Sequence, residues 1–451
     1  MNQTAPRFAL LALFLPAVLA AQVSFTRTYG GAADDFGHTA VATGDGYLLA
    51  GYTYSYGSGA GDAHLVRTDA TGETLWTRVF GSDADDLSFR AVATADGGCA
   101  VVGFAIRSGR ADVTLLKTDA RGDSSWCRTY GGNSDDLGYA VDQCPDSGFI
   151  IAGATFSYGS GRPNIYAIRT DAQGDTLWTR TYGGSSEEYA FSVAATADSG
   201  FIVCGWTKSF GAGAGDIYLI KLDDAGDTLW TRMYGGAGND YGHAIRQTPD
   251  GGYIVAGSTF SYGAGESDFW LVRTDARGDT LWTRTYGGAT SDLGHSVDLA
   301  ADGGFALAGQ TNSFGAGSYD AWLVRTDARG DTLWTRAFGG DAEERAYSVA
   351  ATVDGGFTLG GWTRSSGAGG ADAWLVKTDS LGRVGIAEPQ PPQTRAIGRA
   401  RARCASPAVG TLPGRPGAVV FDAVGRRVTG RLSPGVYVAA GTGSTMLVVV
   451  R

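Results

Sequence analysis

Short apolar, β-branched and aromatic stretches alternate with Gly- and Asp-rich segments along most of the chain. Phe149–Gly153 and Asp320–Asp327 are typical, and both have a length and composition that favour β-strands. The segments between them contain Asp-Gly or Asp-Ala-x-Gly, which supply the positive φ angles of tight hairpins. No stretch shows a sustained helical period. The pattern therefore predicts an all-β protein built from hairpins.

The pattern is also repeated at a nearly fixed interval. The segment Asp175–Gly184, Asp-Thr-Leu-Trp-Thr-Arg-Thr-Tyr-Gly-Gly, returns with small changes, and its Trp occupies positions Trp76, Trp126, Trp178, Trp230, Trp282 and Trp334. Aligned on Tyr-Gly or Phe-Gly, the chain contains seven units, each with four predicted strands. Uniform four-stranded units in this number predict a seven-bladed β-propeller.

The two ends of the repeat complement each other. The last unit ends with Trp374–Gly382 and lacks the Trp-Thr-Arg strand, whereas an orphan strand, Val23–Tyr29, precedes the first unit. Pairing these pieces completes the seventh blade and removes two sheet edges. An open solenoid of stacked sheets is the structural alternative, but it gives no reason to begin one strand early and stop one strand short. We therefore expect a ring closed by the N-terminal strand.

Composition divides the chain into four parts. Residues 1–21 are predicted to be an export signal, because Arg7 precedes an apolar run, Phe8–Leu19, that is too short to span a bilayer. A buried N-terminal helix is the alternative. The propeller is assigned to 22–383, a Pro/Arg-rich linker to 384–416, and a small β module of three strands to 417–451. No other apolar run reaches membrane length, so no membrane span is expected after signal removal.

The repeat resembles a family of exported bacterial and archaeal repeat proteins, predicted propellers that are largely of unknown function. The motifs that carry this resemblance are Trp-Thr-Arg-Thr-Tyr-Gly-Gly, Asp-Gly-Gly-Phe and Trp-Leu-Val-Arg-Thr-Asp. The C-terminal sequence, with Phe421–Val428, Leu432–Val438 and the final Val-Val-Val-Arg, resembles the sorting domain of type IX secretion substrates. This second resemblance implies an address tag that is read by the secretion machinery and is then cleaved or used as an anchor.

A third resemblance concerns the tryptophans. Thr68–Trp76 is similar to the tryptophan-docking repeat of quinoprotein propellers. The likeness implies that the six repeated Trp residues have a structural role and pack between neighbouring blades. Quinoprotein enzymes also carry unique residues for quinone and calcium, and this sequence shows no matching set.

Charge and cysteine content narrow the function classes. The 451 residues carry a formal net charge of −10, which argues against a nucleic-acid partner. The five cysteines form no CxxC or Cys/His metal spacing and are predicted to be mostly buried free thiols. A disulfide that joins Cys127 to Cys99 or to Cys144 stays open.

Catalytic chemistry has little support in the sequence. His38, His243 and His295 share one repeat position where other blades have aromatic residues, and His64 stands where others have Trp or Tyr, so packing roles are favoured. No nucleophile elbow, phosphate loop or zinc motif is present. We therefore predict no catalytic residue, no metal ligand and no cofactor, with calcium left open for the acidic residues described next.

Two polar and aromatic features recur from blade to blade. An acid follows each Tyr/Phe-Gly by a constant interval, at Asp35, Asp86, Asp136, Glu188, Asp240, Asp292 and Glu344. The loops between second and third strands carry Tyr56, Tyr158, Phe210, Tyr262 and Phe314. Both loops belong to one face, so we expect the two sets to share the mouth of the central channel and to bind a cation, a carbohydrate or a basic protein.

A structural role is the competing interpretation of the acids. Each could accept hydrogen bonds from nearby backbone N–H groups. Each could instead pair with the repeated Arg of the Trp strand, at Arg27, Arg78, Arg128, Arg180, Arg232, Arg284 and Arg336.

The sequence as a whole predicts a monomeric binding module that is secreted or held on the outside of the outer membrane. Its expected partners are an extracellular glycan or protein, and the secretion machinery through the C-terminal tail. A propeller enzyme, quinoprotein-like or glycan-active, is the second interpretation, and a structural adhesin or surface-layer component is the third.

Overall fold

The computed structural model describes residues 23–58, 60–159 and 162–385, and four short strands beyond them at 398–399, 419–421, 435–441 and 444–450. The described residues contain 32 β-strands and no helix. The predicted export signal and most of the predicted linker lie outside them. No described helix is therefore available that could cross a lipid bilayer.

Strands β1 to β32 are numbered along the chain, and seven sheets of four strands form the blades. The inner strands of blades one to seven are β2 (Asp35–Thr43), β6 (Asp86–Ala93), β10 (Asp136–Gln143), β14 (Glu188–Ala195), β18 (Asp240–Gln247), β22 (Asp292–Leu299) and β26 (Glu344–Ala351). The second strands are β3 (Gly46–Thr53), β7 (Cys99–Arg107), β11 (Phe149–Thr155), β15 (Phe201–Thr207), β19 (Tyr253–Thr259), β23 (Phe305–Thr311) and β27 (Phe357–Thr363).

The third strands are β4 (Asp62–Asp69), β8 (Arg110–Thr118), β12 (Asn164–Thr170), β16 (Asp216–Leu222), β20 (Asp268–Thr274), β24 (Asp320–Thr326) and β28 (Asp372–Thr378). The outer strands of blades one to six are β5 (Thr74–Phe80), β9 (Ser124–Tyr130), β13 (Thr176–Tyr182), β17 (Thr228–Tyr234), β21 (Thr280–Tyr286) and β25 (Thr332–Phe338), and blade seven takes β1 (Phe25–Tyr29). All neighbouring strands within a blade are antiparallel.

The ring closes through the N-terminal strand, as the sequence predicts. β1 pairs antiparallel with β28, in a register that runs from Phe25 opposite Lys377 to Tyr29 opposite Ala373. The seventh sheet therefore has the order β1-β28-β27-β26. The prediction of a closed seven-bladed propeller is confirmed, and the solenoid alternative is wrong.

The hydrophobic core lies between blades. Each apolar cluster combines side chains from two adjacent sheets; Ile150 and Ile165 of blade three, for example, pack with Val203 and Ile220 of blade four. Because second and third strands are covered on both sides, they are apolar almost throughout, and both their faces are buried.

The outer strand of one blade packs against the turn that joins the third and outer strands of the next blade. Trp178 stacks edge-on against Phe201, at 5.9 Å between ring centroids, and its indole N–H donates to the Asp224 carbonyl at 3.0 Å. The Tyr182 hydroxyl donates to the Gly226 carbonyl at 2.6 Å. Gly226 has φ +81°, and a side chain there would strike the Trp178 ring, so only glycine fits. Trp126, Trp230, Trp282 and Trp334 make the corresponding ring contacts with the next blade.

At the closing joint, Phe25 replaces the tryptophan of this outer-strand clamp. Phe25 is buried against Tyr47 at 5.7 Å and against the Gly72 turn of blade one. The Tyr29 hydroxyl donates to the Gly72 carbonyl at 2.8 Å, and Arg27 pairs with Glu73 at 3.0 Å. The seventh interface therefore has an aromatic ring against the next blade like the other six, and it shares the tyrosine hydroxyl bond with the interfaces made by Tyr130, Tyr182, Tyr234 and Tyr286.

The C-terminal part contributes a separate three-stranded antiparallel sheet of β30 (Val419–Phe421), β31 (Gly435–Gly441) and β32 (Ser444–Val450). A two-residue strand, β29 (Gly398–Arg399), pairs parallel with β5. Cys99, Cys144 and Cys204 are buried and free, so Cys127 pairs with neither Cys99 nor Cys144.

Candidate functional site

The seven repeated acids are held inside the loops that join consecutive blades. Each is buried, and each accepts a hydrogen bond from the backbone N–H four residues earlier, as in Gly31 to Asp35 at 2.7 Å. The other six bonds of this kind are at Asp86, Asp136, Glu188, Asp240, Asp292 and Glu344. In several blades a Ser and a Thr from the end of the second strand add hydroxyl donors, such as Ser55 to Asp35 at 2.7 Å.

Blade two holds its acid differently. Its second strand supplies Arg107 in place of the Thr and Ser, and the guanidinium pairs with Asp86 at 3.1 Å. The loop that follows turns sharply, with Ser108 and Gly109 at φ +52° and +79°. Arg107 and the Ser82 hydroxyl thus take the place of the Thr and Ser donors of the other blades.

These contacts correct the expected position of the acids. They lie in the walls of the blade-connecting loops, with oxygens directed at backbone donors, and do not form an open carboxylate surface at the channel mouth. The repeated Arg residues do not pair with them either, since six of the seven reach an acid in the turn of the next blade, as Arg232 does to Asp279 at 3.1 Å.

A second set of carboxyl groups lies at the start of the third strands in every blade except three, which has Asn164, and meets the first set at the blade interfaces. A Cβ on Gly30 would lie 2.2 Å from Asp372 Oδ1 and 2.6 Å from Asp35 Oδ2, so both carboxyls flank one glycine. Burial, with the neighbouring Asp35 carboxylate, raises the pKa of Asp372 to about 6, and burial with Asp86 does the same for Asp62. Among the described residues, no group of three or more His, Cys, Asp or Glu side chains could hold a metal ion.

The five predicted aromatic residues lie on the same face as the acids but above the third strands, away from the channel. Each stacks on an aromatic residue of its own third strand, such as Tyr262 on Trp270 at 5.4 Å. The other pairs are Tyr56–His64, Tyr158–Tyr166, Phe210–Tyr218 and Phe314–Trp322. The Tyr262 hydroxyl bonds the Gly235 carbonyl at 2.9 Å. We call these five residues the rim aromatics. The expectation that they line the channel mouth is wrong.

Side chains of the inner strands line the middle of the channel. Seven rings, one from each blade, contact each other in an unbroken circle with centroids 4.7 to 5.8 Å apart. These lumen aromatics are His38, Phe89, Tyr139, Phe191, His243, His295 and Tyr347. A bulge in each inner strand immediately around this position, as between Gly37 and Thr39, breaks the pairing register there. The predicted packing role of these histidines agrees with their contacts.

Burial keeps the channel histidines neutral. It lowers the pKa of His38 and of His243 to about 4, and that of His295 well below its ordinary value. The Nε2 atoms of His38 and His295 are enclosed and have no hydrogen-bond partner among the described residues.

Above the lumen aromatics, toward the face that carries the acids, the channel mouth is lined unevenly. At the junction of blades seven and one, Trp362 packs against Phe36 at 5.6 Å, with the guanidinium groups of Arg345 and Arg364 within 5.4 and 5.5 Å of its ring. Phe36, Tyr52, Tyr54 and Trp362, with these two arginines, form what we call the first mouth patch. Tyr54 is 45% exposed.

A second mouth patch lies at the junction of blades four and five. Trp206 stacks on Tyr241 at 5.4 Å and lies 6.1 Å from Tyr189, and Lys208 Nζ is 5.0 Å from its ring. Phe260, 47% exposed, packs on Tyr241. Both patches combine exposed aromatic surface with a cation that is itself ion-paired, Arg345 with Glu343 and Lys208 with Glu187.

Sequence reasoning did not identify these patches, because it followed features that are the same in every blade. The signal was present in the differences between copies. The residue after the repeated acid is Leu in blades two, three and six but Phe36, Tyr189, Tyr241 and Arg345 in the others. The strand opposite pairs Tyr52, Trp206 and Trp362 with three of them.

Comparison with known proteins assigns no family to the chain. No family model matches the chain. The regulatory protein FlaEY of Caulobacter vibrioides is 26% identical over 270 residues, which are 48% of this chain and 28% of FlaEY. The chain thus spans little more than a quarter of that relative's length.

Similar solved structures include two proteins of unknown function. The protein from Bacteroides caccae (12% identity) and that from Dyadobacter fermentans (10% identity) each match 64% of this chain and 93% of their own, with a TM-score of 0.42. A quinohemoprotein alcohol dehydrogenase of Pseudomonas putida, 10% identical, matches 82% of this chain and 78% of its own, with a TM-score of 0.39. The assignment as a seven-bladed β-propeller rests on the strand order of the chain itself.

Proposed function

We propose that this protein is an exported binding module that holds an extracellular glycan at the loop-rich mouth of its channel. The observation that carries the proposal is that each mouth patch combines an exposed aromatic ring, Tyr54 or Phe260, with a buried Trp whose ring is covered by an ion-paired cation. Aromatic faces pack well against the apolar C–H face of a sugar ring, while charged side chains can hydrogen-bond its hydroxyls. The repeat supplies a rigid frame, and only the residues that differ between blades provide selectivity.

The repeated acids are not part of the proposed contact surface. They are buried and already occupied by backbone donors. The rim aromatics occupy equivalent positions in five blades, four of them are exposed, and the three tyrosines donate to carbonyls of the blade-connecting loops. A ligand that prefers one place on the ring needs asymmetry, which the mouth patches have.

A glycan array probed with the full chain tests the proposal, with Tyr54→Ala and Phe260→Ala as the informative variants. Removing a stacking aromatic is expected to weaken binding about tenfold, since such contacts contribute roughly 0.5–1.5 kcal/mol beyond area burial. Tyr158→Ala and Tyr262→Ala are matched controls, because these rim residues are 43% and 48% exposed.

Binding that survives both mouth substitutions but not the rim substitutions would move the site to the rim. The absence of binding to any glycan would refute the glycan proposal. Export is a separate proposal, supported by the character of residues 1–21 and of the C-terminal tail; cell fractionation with and without residues 1–21 tests it, and equal retention inside the cell would contradict it.

A further inference from the structure

The outer edge of blade one is occupied by a later part of the chain. Among the described residues, only the sheet of blade one has a fifth strand, because β29 pairs in parallel with β5. Gly398 lies opposite Arg78, and Arg399 lies opposite Val79. An outer strand without such a neighbour presents backbone N–H and C=O groups that an extended segment can bind. In blade one these groups have received a partner from the predicted linker.

Two side chains on the outer strands of blades one and two are buried where the repeat leaves their counterparts open. Val79 is 8% exposed, whereas Met233, at the equivalent position of blade four, is 41% exposed. Cys127, on the outer strand of blade two, is 6% exposed. The residues at its position in blades three, five and six are exposed, and they are Thr179, Thr283 and Thr335. Burial therefore distinguishes this part of the circumference from the rest.

The sulfur of Cys127 is part of a disulfide. Cys99, Cys144 and Cys204 are free thiols, and Cys404 is the only other cysteine in the sequence. The other Trp-containing outer strands all have Thr at the position of Cys127, so this cysteine departs from the repeat. Elimination thus leaves the linker cysteine as its partner.

The pairing of β29 brings the linker within reach of Cys127. Cys404 follows Arg399 by 404 − 399 = 5 residues, which span up to about 17 Å when extended. Val79 is the partner of Arg399, and Phe80 follows it in β5. Phe80 and Cys127 line one small cavity between blades one and two. Because β29 runs parallel to β5, the chain leaves Arg399 in the direction of Phe80. Strand pairing and the disulfide therefore lead the same short segment to the same joint.

We propose that residues 398–404 dock across the joint between blades one and two, and that a disulfide between Cys127 and Cys404 locks them there. Pairing with β5 supplies main-chain hydrogen bonds, and the disulfide keeps the segment from leaving. The bond forms by two thiol–disulfide exchanges. The two cysteines lose two electrons and two protons, and one disulfide donor, such as oxidised glutathione, is reduced to two thiols. The lock rests on the proposed export, because such a bond persists in an oxidising compartment.

The lock determines how the C-terminal tail can be released. The C-terminal β module starts with β30 at Val419, 419 − 404 = 15 positions after Cys404. A cut of the chain within 386–397 therefore leaves this module covalently attached to blade two. Only reduction of the disulfide in addition to such a cut sets the module free. The predicted address tag is thus held to the side of the propeller by a bond that responds to the redox state of its surroundings.

Peptide mapping of the full chain tests this proposal. The purified chain is incubated with oxidised glutathione, denatured with N-ethylmaleimide to block free thiols, and digested with trypsin without reductant. We expect one disulfide-linked pair, Gly122–Arg128 joined to Cys404–Arg426, with the other three cysteines alkylated. Cys127→Thr, which restores the residue of the other blades, should abolish this pair. Cys144→Thr is the matched control and should keep it, because Thr196 stands at that position in blade four.

An alkylated Cys127 in the oxidised full chain would overturn the proposal. So would a link from Cys127 to any cysteine other than Cys404, or a link between two molecules, visible as a dimer on a non-reducing gel. If Cys127→Thr does not fold, Cys404→Ser replaces it, since this change lies outside the blades and should abolish the pair equally.

Hydrogen–deuterium exchange is a second readout, for the docked strand itself. β5 should exchange more slowly than β21, whose outer edge has no further strand in the described part of the chain. Equal exchange in the two strands would overturn the docking. A disulfide that forms in the purified chain but is absent from protein retained in the cytosol would refute export and support the docking, so the two failures are distinguishable.

Discussion

Replacing Phe25 by Ala tests how much the contact between blades seven and one stabilises the closed ring. Phe25 occupies, at the joint between blades seven and one, the place that tryptophan has at the other six joints. It is only 5% exposed and belongs to a core cluster with Tyr47, Leu49 and Leu375. Because β1 enters this blade from the other end of the repeat, no other element of blade seven can replace the lost contact.

The expected cost is about 3–5 kcal/mol, the range for Phe-to-Ala substitutions that leave a cavity in a packed core. Unfolding entropy is about 2.1 cal/mol/K per residue, and the propeller has about 360 residues, so the unfolding entropy is about 0.75 kcal/mol/K. The substitution should therefore lower Tm by roughly 4–7 °C.

Urea unfolding followed by tryptophan fluorescence measures the change, with thermal unfolding as a second readout. Leu177→Ala is the control, since Leu177 lies on an outer strand, is 56% exposed, and should change the unfolding free energy by no more than about 0.5 kcal/mol. If Phe25→Ala lowers the unfolding free energy by less than about 1 kcal/mol, similar to the control, then Phe25 does not contribute to the core as the structure indicates.

Two further predictions concern polar groups at the blade interfaces. Tyr182→Phe removes the hydroxyl that donates to the Gly226 carbonyl, and should lower the unfolding free energy in urea by about 0.5–1.5 kcal/mol; no change would mean that water replaces the bond at no cost. Asp62 and Asp372 have pKa values raised to about 6, so the folded state favours their protonated forms. Their stabilising contribution is complete below the unfolded-state pKa near 4 and is lost as the pH rises through 6. Blade three already has Asn164 at this position. The double substitution Asp62→Asn, Asp372→Asn should therefore raise Tm above that of the unmodified protein by more at pH 8 than at pH 4.5. If Tm changes between these two pH values by the same amount in both proteins, the assignment is contradicted.

The fold could be predicted because equivalent positions of the seven blades carry similar residues that make similar packing contacts. The tryptophan spacing indicated the length of one blade, and the orphan strand that ends at Tyr29 indicated how the ring closes. Both are statements about order along the chain, and strand pairing in an antiparallel blade follows order closely.

The depth of side chains was harder to predict. The sequence placed Asp240 and Tyr262 on the correct face, because each loop's face follows from strand direction. It could not show that Asp240 turns inward to the Gly236 N–H, or that Tyr262 covers the third strand at the periphery of that face. Those outcomes depend on loop conformation at the scale of one residue.

The mouth patches were missed for a different reason. They consist of substitutions such as Arg345 that depart from the repeat on the inner strands. A position-by-position comparison of the seven copies would have singled them out as polar or bulky exceptions. It would not have shown that Phe36 of blade one and Trp362 of blade seven approach one another, because that follows only from closing the ring.

The joint between the first and last strands also has a consequence for the order of folding. Phe25 pairs with Lys377, 377 − 25 = 352 positions later, whereas Glu344 and Thr363 within the same blade are 363 − 344 = 19 apart. By loop-closure entropy alone, bringing the distant pair together costs roughly 2–3 kcal/mol more than the local one. Six blades can thus form from local hairpins as the chain emerges. β1 stays unpaired until its partner, β28, has been synthesised. The slowest step of folding should accordingly be the docking of this one strand, and a synthetic peptide of the β1 sequence present during refolding should compete for the open seventh blade.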